Sequence, residues 1–181
     1  MIDYDNLTED QLADGRIPNP KRSKLRVLHH GGRGAVICDL DGTIRNDHHR
    51  RHFVQKHPKD WAAFYRACVD DTPHPAVTAT LDGFANLGYD LIIFTGCCQS
   101  MRAETEQWLN FYEISCDSIR MRPIGDHTAD TELKKKWLFE LFTPGEIANG
   151  IVTLVLEDRD RMVAMWRELG IPCFQVAPGA F

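Results

Sequence analysis

The chain lacks any apolar run of the roughly eighteen residues that a membrane-spanning helix needs. Its start, Met1 to Asp14, is acidic and polar, without the charged-then-apolar order of a secretory leader. These absences argue against membrane insertion and export and favour a cytoplasmic protein. The six cysteines (Cys38, Cys68, Cys97, Cys98, Cys116, Cys173) form no C-x-x-C pair and no zinc spacing. They read as reduced thiols rather than a disulfide or zinc framework. Positive charge is not in excess: 21 Lys and Arg face 26 Asp and Glu, for a net charge of -5. That balance argues against coating nucleic acid through bulk phosphate neutralisation, but it leaves room for a local basic groove. The pattern G-x-x-x-x-G-K-[ST] is missing, and Gly31-Gly32-Arg33-Gly34 precedes the first expected strand, so an NTP-binding P-loop is not expected.

What is present is a chain of 181 residues with 43% apolar content, enough for one domain with a substantial core. Residues 1–33 read as an N-terminal arm: a short possible helix at Thr8–Ala13, then a Pro-broken stretch dense in Arg, Lys and His. From residue 34 to 181, apolar strands alternate with helical periodicities. Strands are expected at 35–38, Leu91–Phe94, Ser118–Met121, Ile151–Leu156 and Cys173–Val176. Helices are expected through Trp61–Cys68, from Pro75 to Leu87, at Met101–Phe111, Thr131–Phe142 and Arg161–Leu169. This alternation implies an α/β fold with a parallel sheet covered on both faces.

Chemistry collects at the carboxyl ends of the expected strands, where open α/β sheets bind ligands. The first strand runs into Asp39-Leu40-Asp41-Gly42-Thr43, the second into Thr95-Gly96, and the strand at 151–156 into Glu157-Asp158-Arg159. Each has a bland alternative in a turn, a helix N-terminus or a solvated lysine face. Their order along alternating elements, an Asp pair, Thr, Lys134 and an acidic pair, makes joint coincidence improbable. One carboxylate can act as nucleophile and the other as acid and base, provided a cation offsets the charge of a phosphate monoester. A rival nucleophile, the cysteine of a phosphate-binding loop, fails on spacing. Four residues separate Cys97 from Arg102, three separate it from Cys98, and no glycine intervenes.

The motif Asp39-x-Asp41-Gly42-Thr43, with Thr95, Lys134 and Asp158, resembles the four motifs of the haloacid dehalogenase (HAD) superfamily. More closely, residues 35–181 are similar to the 3'-phosphatase domain of phage-type polynucleotide kinase/phosphatases. The similarity is carried by Glu157-Asp158-Arg159, Met165-Trp166-Arg167-Glu168-Leu169-Gly170, Gln175-Val176 and Phe181, with support from Lys59-Asp60-Trp61 and Asp70-Asp71-Thr72-Pro73. The resemblance implies a HAD-like Rossmannoid three-layer sandwich with a small helical cap inserted at about 45–88.

It also implies a Mg2+-dependent phosphomonoesterase that works through a phosphoaspartate and removes 3'-phosphate from nucleic-acid ends. Asp39 would be the nucleophile and Asp41 the general acid and base, with Thr95 and Lys134 completing the catalytic set. The metal would be held by Asp39, the Asp41 backbone, Asp158 and Glu157. Substrate contacts are expected from Thr43, Gly96, Arg50, Arg102, Arg122 and Asp130, and the basic loop around His48, His49, Arg51 and His52 suits a phosphodiester backbone. The family carries an arginine after Thr-Gly where this chain has Cys97, and an aspartate where it has Glu157; Arg102 and Arg122 are the candidates to replace the missing guanidinium. A kinase half is not encoded in this sequence, so phosphatase-only function is expected unless a separate protein supplies the kinase. Alternative readings are a phosphatase of nucleoside 5'- or 3'-monophosphates, or a catalytically weak protein that binds nucleic acid or nucleotides.

Overall fold

A computed structural model of the chain describes residues 33–179. The expected N-terminal arm, apart from Arg33, and Phe181 lie outside the described residues. The chain runs through β1 (Ala35–Cys38), β2 (Arg45–Asn46), α1 (His52–Gln55), α2 (Trp61–Arg66), β3 (Thr72–Pro73) and α3 (Pro75–Asn86). It continues through β4 (Asp90–Cys98), α4 (Arg102–Phe111), β5 (Ser118–Arg122) and α5 (Asp130–Leu141), then α6 (Pro144–Ala148), β6 (Val152–Glu157), α7 (Asp160–Glu168) and β7 (Cys173–Gln175).

Five strands form one parallel sheet in the order β5-β4-β1-β6-β7, and β2 and β3 pair as a separate antiparallel ribbon. Alternation along β1 explains the three layers. Ala35 and Ile37 point into a core with Leu133, Trp137 and Leu138 of α5 and Met162, Val163 and Trp166 of α7. Val36 and Cys38 point the other way, against Val77 and Leu81 of α3 and Trp108 and Leu109 of α4. Strands buried on both faces must be apolar throughout, which is why β1 and β6 stand out in the sequence.

The sheet grows from β1 in both directions, toward β4 on one side and β6 on the other. A crevice therefore opens at the carboxyl ends of these three strands, the switch point at which such sheets hold ligands. The chain belongs to the α/β class, as expected.

Some boundaries differ from expectation for identifiable reasons. β4 continues past Phe94 to Cys98 because β5 lies alongside, pairing Thr95 with Met121 and, after an irregularity, Cys98 with Arg122. Helix α6 was not expected; Pro144 at its start and a capping box between Thr143 and Glu146 create it. Helix α3 falls inside the stretch expected as a cap, yet Val77 and Leu81 pack it onto the sheet, leaving α1 and α2 to line the crevice. No helix among the described residues is long and apolar enough to cross a membrane.

Candidate active site

Two carboxylates leave β1 together and enter different surroundings. Asp39 is still tied to the sheet through its N–H, which donates to the Leu156 carbonyl at 3.0 Å. From α5, Lys134 Nζ donates to Asp39 Oδ1 at 2.5 Å and to Glu157 Oε2 at 2.8 Å. The other Glu157 oxygen accepts from the Asp158 N–H at 3.2 Å. Asp158 Oδ1 accepts from the Thr43 hydroxyl at 3.4 Å, whereas its Oδ2 is buried with no hydrogen-bond partner and lies 3.7 Å from Arg51 Nη2.

Asp39, Glu157 and Asp158 each place an oxygen within 4.8 Å of the others. Burial raises the Asp39 pKa well above the usual carboxylate range; Lys134 opposes that rise, and Glu157 and Asp158 add to it. Burial and then Glu157 push Asp158 up to about 7. Burial would lower the Lys134 pKa, but Asp39 and Glu157 override it and hold the ammonium protonated. All three directions have one meaning: the cluster favours one more positive charge. Hard carboxylate oxygens with one orphaned oxygen suit Mg2+, so the residues present fit the expected metal.

Asp41 is already neutralised. Arg50 Nη2 donates to Asp41 Oδ1 at 2.6 Å and to Asp71 Oδ2 at 2.5 Å, and Arg50 Nε donates to Asp71 Oδ1 at 2.8 Å. The Arg50 guanidinium lies 4.1 Å over the Phe64 ring, and Asp71 is tied in further by Trp108 Nε1, which donates to its carbonyl at 2.8 Å. Arg45, fully buried over the Trp108 ring, approaches Asp41 Oδ1 at 3.7 Å. Burial alone would raise the Asp41 pKa, but Arg50 and Arg45 bring it below the usual carboxylate range.

A cleft of about 550 Å3 opens over both carboxylates, lined among others by Thr95, Gly96, Cys97, Arg122, Asp130, Lys134 and Arg159. Asp130, at the start of α5, accepts from Arg122, from Arg159 at 2.8 Å and from Arg161 at 3.4 Å. Arg122 Nε also donates to the Gly96 carbonyl at 3.2 Å. The Thr95 hydroxyl accepts the Cys97 N–H at 3.0 Å, so Thr95 is fixed rather than free to rotate. Burial, and next Asp41, push the Cys97 thiol well up, which keeps it from being a thiolate nucleophile.

The structure brings Asp39, Asp41, Thr95, Gly96, Arg122, Asp130, Lys134 and Glu157 onto one cleft. Thr43 serves the site from behind, through Asp158. Two expected substrate contacts are placed elsewhere. Arg50 is buried behind Asp41 because two carboxylates hold it there, and its neighbour Arg51 lines the cleft instead. Arg102 is turned away, held by Glu106 at 3.0 Å, Gln99 and the Ile119 carbonyl.

Sequence reasoning did not single out Asp71, Arg45 or Arg159 as site residues. Asp71 and Arg159 lie inside stretches that carried the family resemblance, which was the available signal; Arg45 had none. Two glycines fit for steric reasons. Gly42 has a φ of +93°, and a Cβ there would sit 2.3 Å from Asp158 Oδ2. A Cβ on Gly179 would sit 2.2 Å from the Asp158 carbonyl. The Gly179 carbonyl accepts from the Asp160 N–H at 3.1 Å, and Gln175 Nε2 donates to the Asp158 carbonyl at 2.8 Å, so the end of the described chain braces the acidic loop.

The geometry has a counterpart among known families: residues 33–181 match the model of the polynucleotide kinase PNKP phosphatase domain. The chain belongs to that family. It is a HAD-type phosphatase. Among solved structures, it is similar to a chain of the Pnkp1/Rnl/Hen1 RNA repair complex, with 29% identity and a TM-score of 0.65 over 88% of this chain and 49% of that one. A second structure of the Pnkp1/Rnl/Hen1 complex gives 33% identity and a TM-score of 0.65, covering 82% of this chain and 46% of that one. A protein of Autographa californica nuclear polyhedrosis virus, whose name places it among bifunctional polynucleotide kinase/RNA ligases, is 29% identical over 76% of this chain and 18% of its own length. The chain thus spans half or less of these relatives.

Proposed function

We propose that this phosphatase removes 3'-phosphate from nucleic-acid ends, with Mg2+ and through a phosphoaspartate. The observation that carries the reading is the position of Asp39. It stands at the switch point of the sheet, in contact with Lys134, beside Glu157 and Asp158, and facing a cleft rimmed by arginines. Family membership and the likeness to chains of an RNA repair complex support nucleic acid as the substrate class.

Asp39, the Asp41 backbone and Asp158 would hold Mg2+, with Glu157 at hand; the ion would offset charge between an anionic phosphate and an anionic nucleophile. Asp39 attacks phosphorus in line, and the bond from phosphorus to the 3' oxygen breaks. Asp41 gives its proton to that leaving oxygen, then takes one from the water that hydrolyses the aspartyl phosphate. In the free protein Asp41 is held anionic by Arg50, the form needed for the second step. A phosphate dianion arriving beside it raises its pKa, so that Asp41 takes up a proton from solvent and acts as the acid of the first step. Lys134, Thr95 and Arg122 stabilise the transferring oxygens, and Arg122 and Arg159, gathered by Asp130, stand in for the guanidinium missing at Cys97.

Phosphate release from a 3'-phosphorylated oligonucleotide, a nucleoside 3'-monophosphate and a nucleoside 5'-monophosphate tests the reading. The oligonucleotide should be preferred, and equal rates on all three would refute the polymer assignment.

A further inference from the structure

The cleft is larger than a phosphate group needs; about 550 Å3 lies within the range that houses a whole small ligand. One wall is aromatic: Trp61, Phe64 and Tyr65 of α2 all line it. Trp61 stands out because its side of the wall is open. It is 43% exposed, whereas Trp108, Trp137 and Trp166 are buried. The other exposed large hydrophobics, such as Phe111 and Phe174, lie off the cleft. An indole left half in water at the mouth of a charged cleft costs apolar exposure that a flat partner would relieve.

Trp61 is also held in place. Asp60 caps α2 by accepting from the Ala63 N–H at 2.8 Å, and Phe64 anchors the helix beneath the Arg50 guanidinium. The Trp61 ring meets Phe64 edge-on at 5.9 Å and stacks with Tyr65 at 6.0 Å and 28°. A ring already fixed loses little freedom on binding. Tyr65 links this wall to the chemistry, because it lines the same cleft as Asp41 and Cys97. Cations suited to flanking phosphates surround the wall: the Lys59 ammonium lies over the Trp61 ring at 5.5 Å, a place an arriving base takes as Lys59 moves to a phosphate, and Arg51, Arg122 and Arg161 line the same cleft.

We infer that Trp61 is the platform on which the base of the substrate's terminal nucleotide stacks while its 3'-phosphate reaches Asp39. This inference rests on the reading of the chain as a phosphatase of nucleic-acid ends, and it makes the nucleobase a recognised part of the substrate. Stacking accepts every base, because each offers a π-face, so the site selects for a base without reading sequence.

The test compares two 3'-phosphorylated oligonucleotides of one sequence, with the terminal residue either base-bearing or abasic. The wild type should show kcat/KM roughly tenfold or more higher on the base-bearing substrate, mainly through KM. Trp61→Ala should bring that ratio to within about twofold of one, and Trp61→Phe should keep most of it. In an Asp39→Asn background, the base-bearing oligonucleotide should quench tryptophan fluorescence, and adding Trp61→Phe should remove the quenching. Equal kcat/KM on the two substrates in the wild type, or a ratio that survives Trp61→Ala, overturns the inference. Release from neither oligonucleotide refutes the proposed substrate class instead. The fluorescence titration then decides stacking alone, and quenching that is absent, or that survives Trp61→Phe, overturns it.

Discussion

Asp39 and Asp41 lie two residues apart, and their surroundings are opposite in kind. Around Asp39, three carboxylates crowd one lysine and Asp158 keeps an oxygen without a hydrogen-bond partner. Around Asp41, Arg50 is hydrogen-bonded to both Asp41 and Asp71, and Arg45 adds a second buried positive charge 3.7 Å from Asp41, so the charges balance without a ligand. The first arrangement is short of positive charge and therefore receptive. The second is balanced and therefore rigid. The proposed reaction uses both, one to gather a cation and an anionic substrate and one to hold a proton carrier in line.

The most damaging break in the first half is Asp39→Asn. It should lower turnover by at least on the order of 10^4-fold, since a carboxamide cannot form the phosphoaspartate, while circular dichroism shows the fold retained. In the second half the expected damage is to stability. Arg50→Met leaves Asp41 and Asp71 buried without their shared cation and should cost about 3–5 kcal/mol in urea unfolding. Asp158→Asn in metal-free protein should change stability by no more than about 1 kcal/mol, because the lost 3.7 Å approach of Arg51 is offset by relief of repulsion from Glu157. Equal losses in these two variants would erase the contrast between receptive and balanced halves.

Metal sharpens the same contrast. EDTA should stop phosphate release and Mg2+ restore it. Mg2+ at about a hundred times its Kd should stabilise the wild type against unfolding by about 2.7 kcal/mol, an increment that Asp158→Asn should largely remove and that Thr72→Ala, at an exposed position, should keep.

A small effect that depends on pH concerns Asp130, which resembles Asp41 in its arginine partners. Burial would raise its pKa, but Arg159, Lys134 and Arg122 together hold it below the usual carboxylate range. A depressed carboxylate stabilises the native state above its unfolded pKa, and that contribution fades as pH falls through the lower folded value. Asp130→Asn should therefore lose about 1 kcal/mol at neutral pH and show a shallower acid-side decline in urea midpoint than the wild type.

How much of this was legible in the sequence depended on whether a residue's role is local. The apolar runs of β1 and β6 and the helical spacing of α5 and α7 follow from burial on both faces of a sheet, and their positions were readable. The strand-end placement of Asp39, Asp41, Glu157 and Asp158 follows from the same rule. Roles set by distant partners were not readable. Arg50 and Arg51 are neighbours with the same charge, and only the packing of Asp71, 21 residues further on, decides which is buried and which faces the cleft. β4 gained its last residues from pairing with β5, and Arg102 was lost to the site through a bond to Glu106 one turn away.

Gly179 shows how far such distant dependence extends. It offers no acid, base or ligand atom other than its backbone, yet the Asp158 and Arg159 backbone occupies the space where a side chain would begin. Any substitution there must displace either the acidic loop or the segment that braces it. On the proposed function, a survey of inactive variants would thus score Gly179 beside Asp39 and Asp41, and its signature would be weakened binding of added Mg2+ in a folded protein rather than loss of a chemical group.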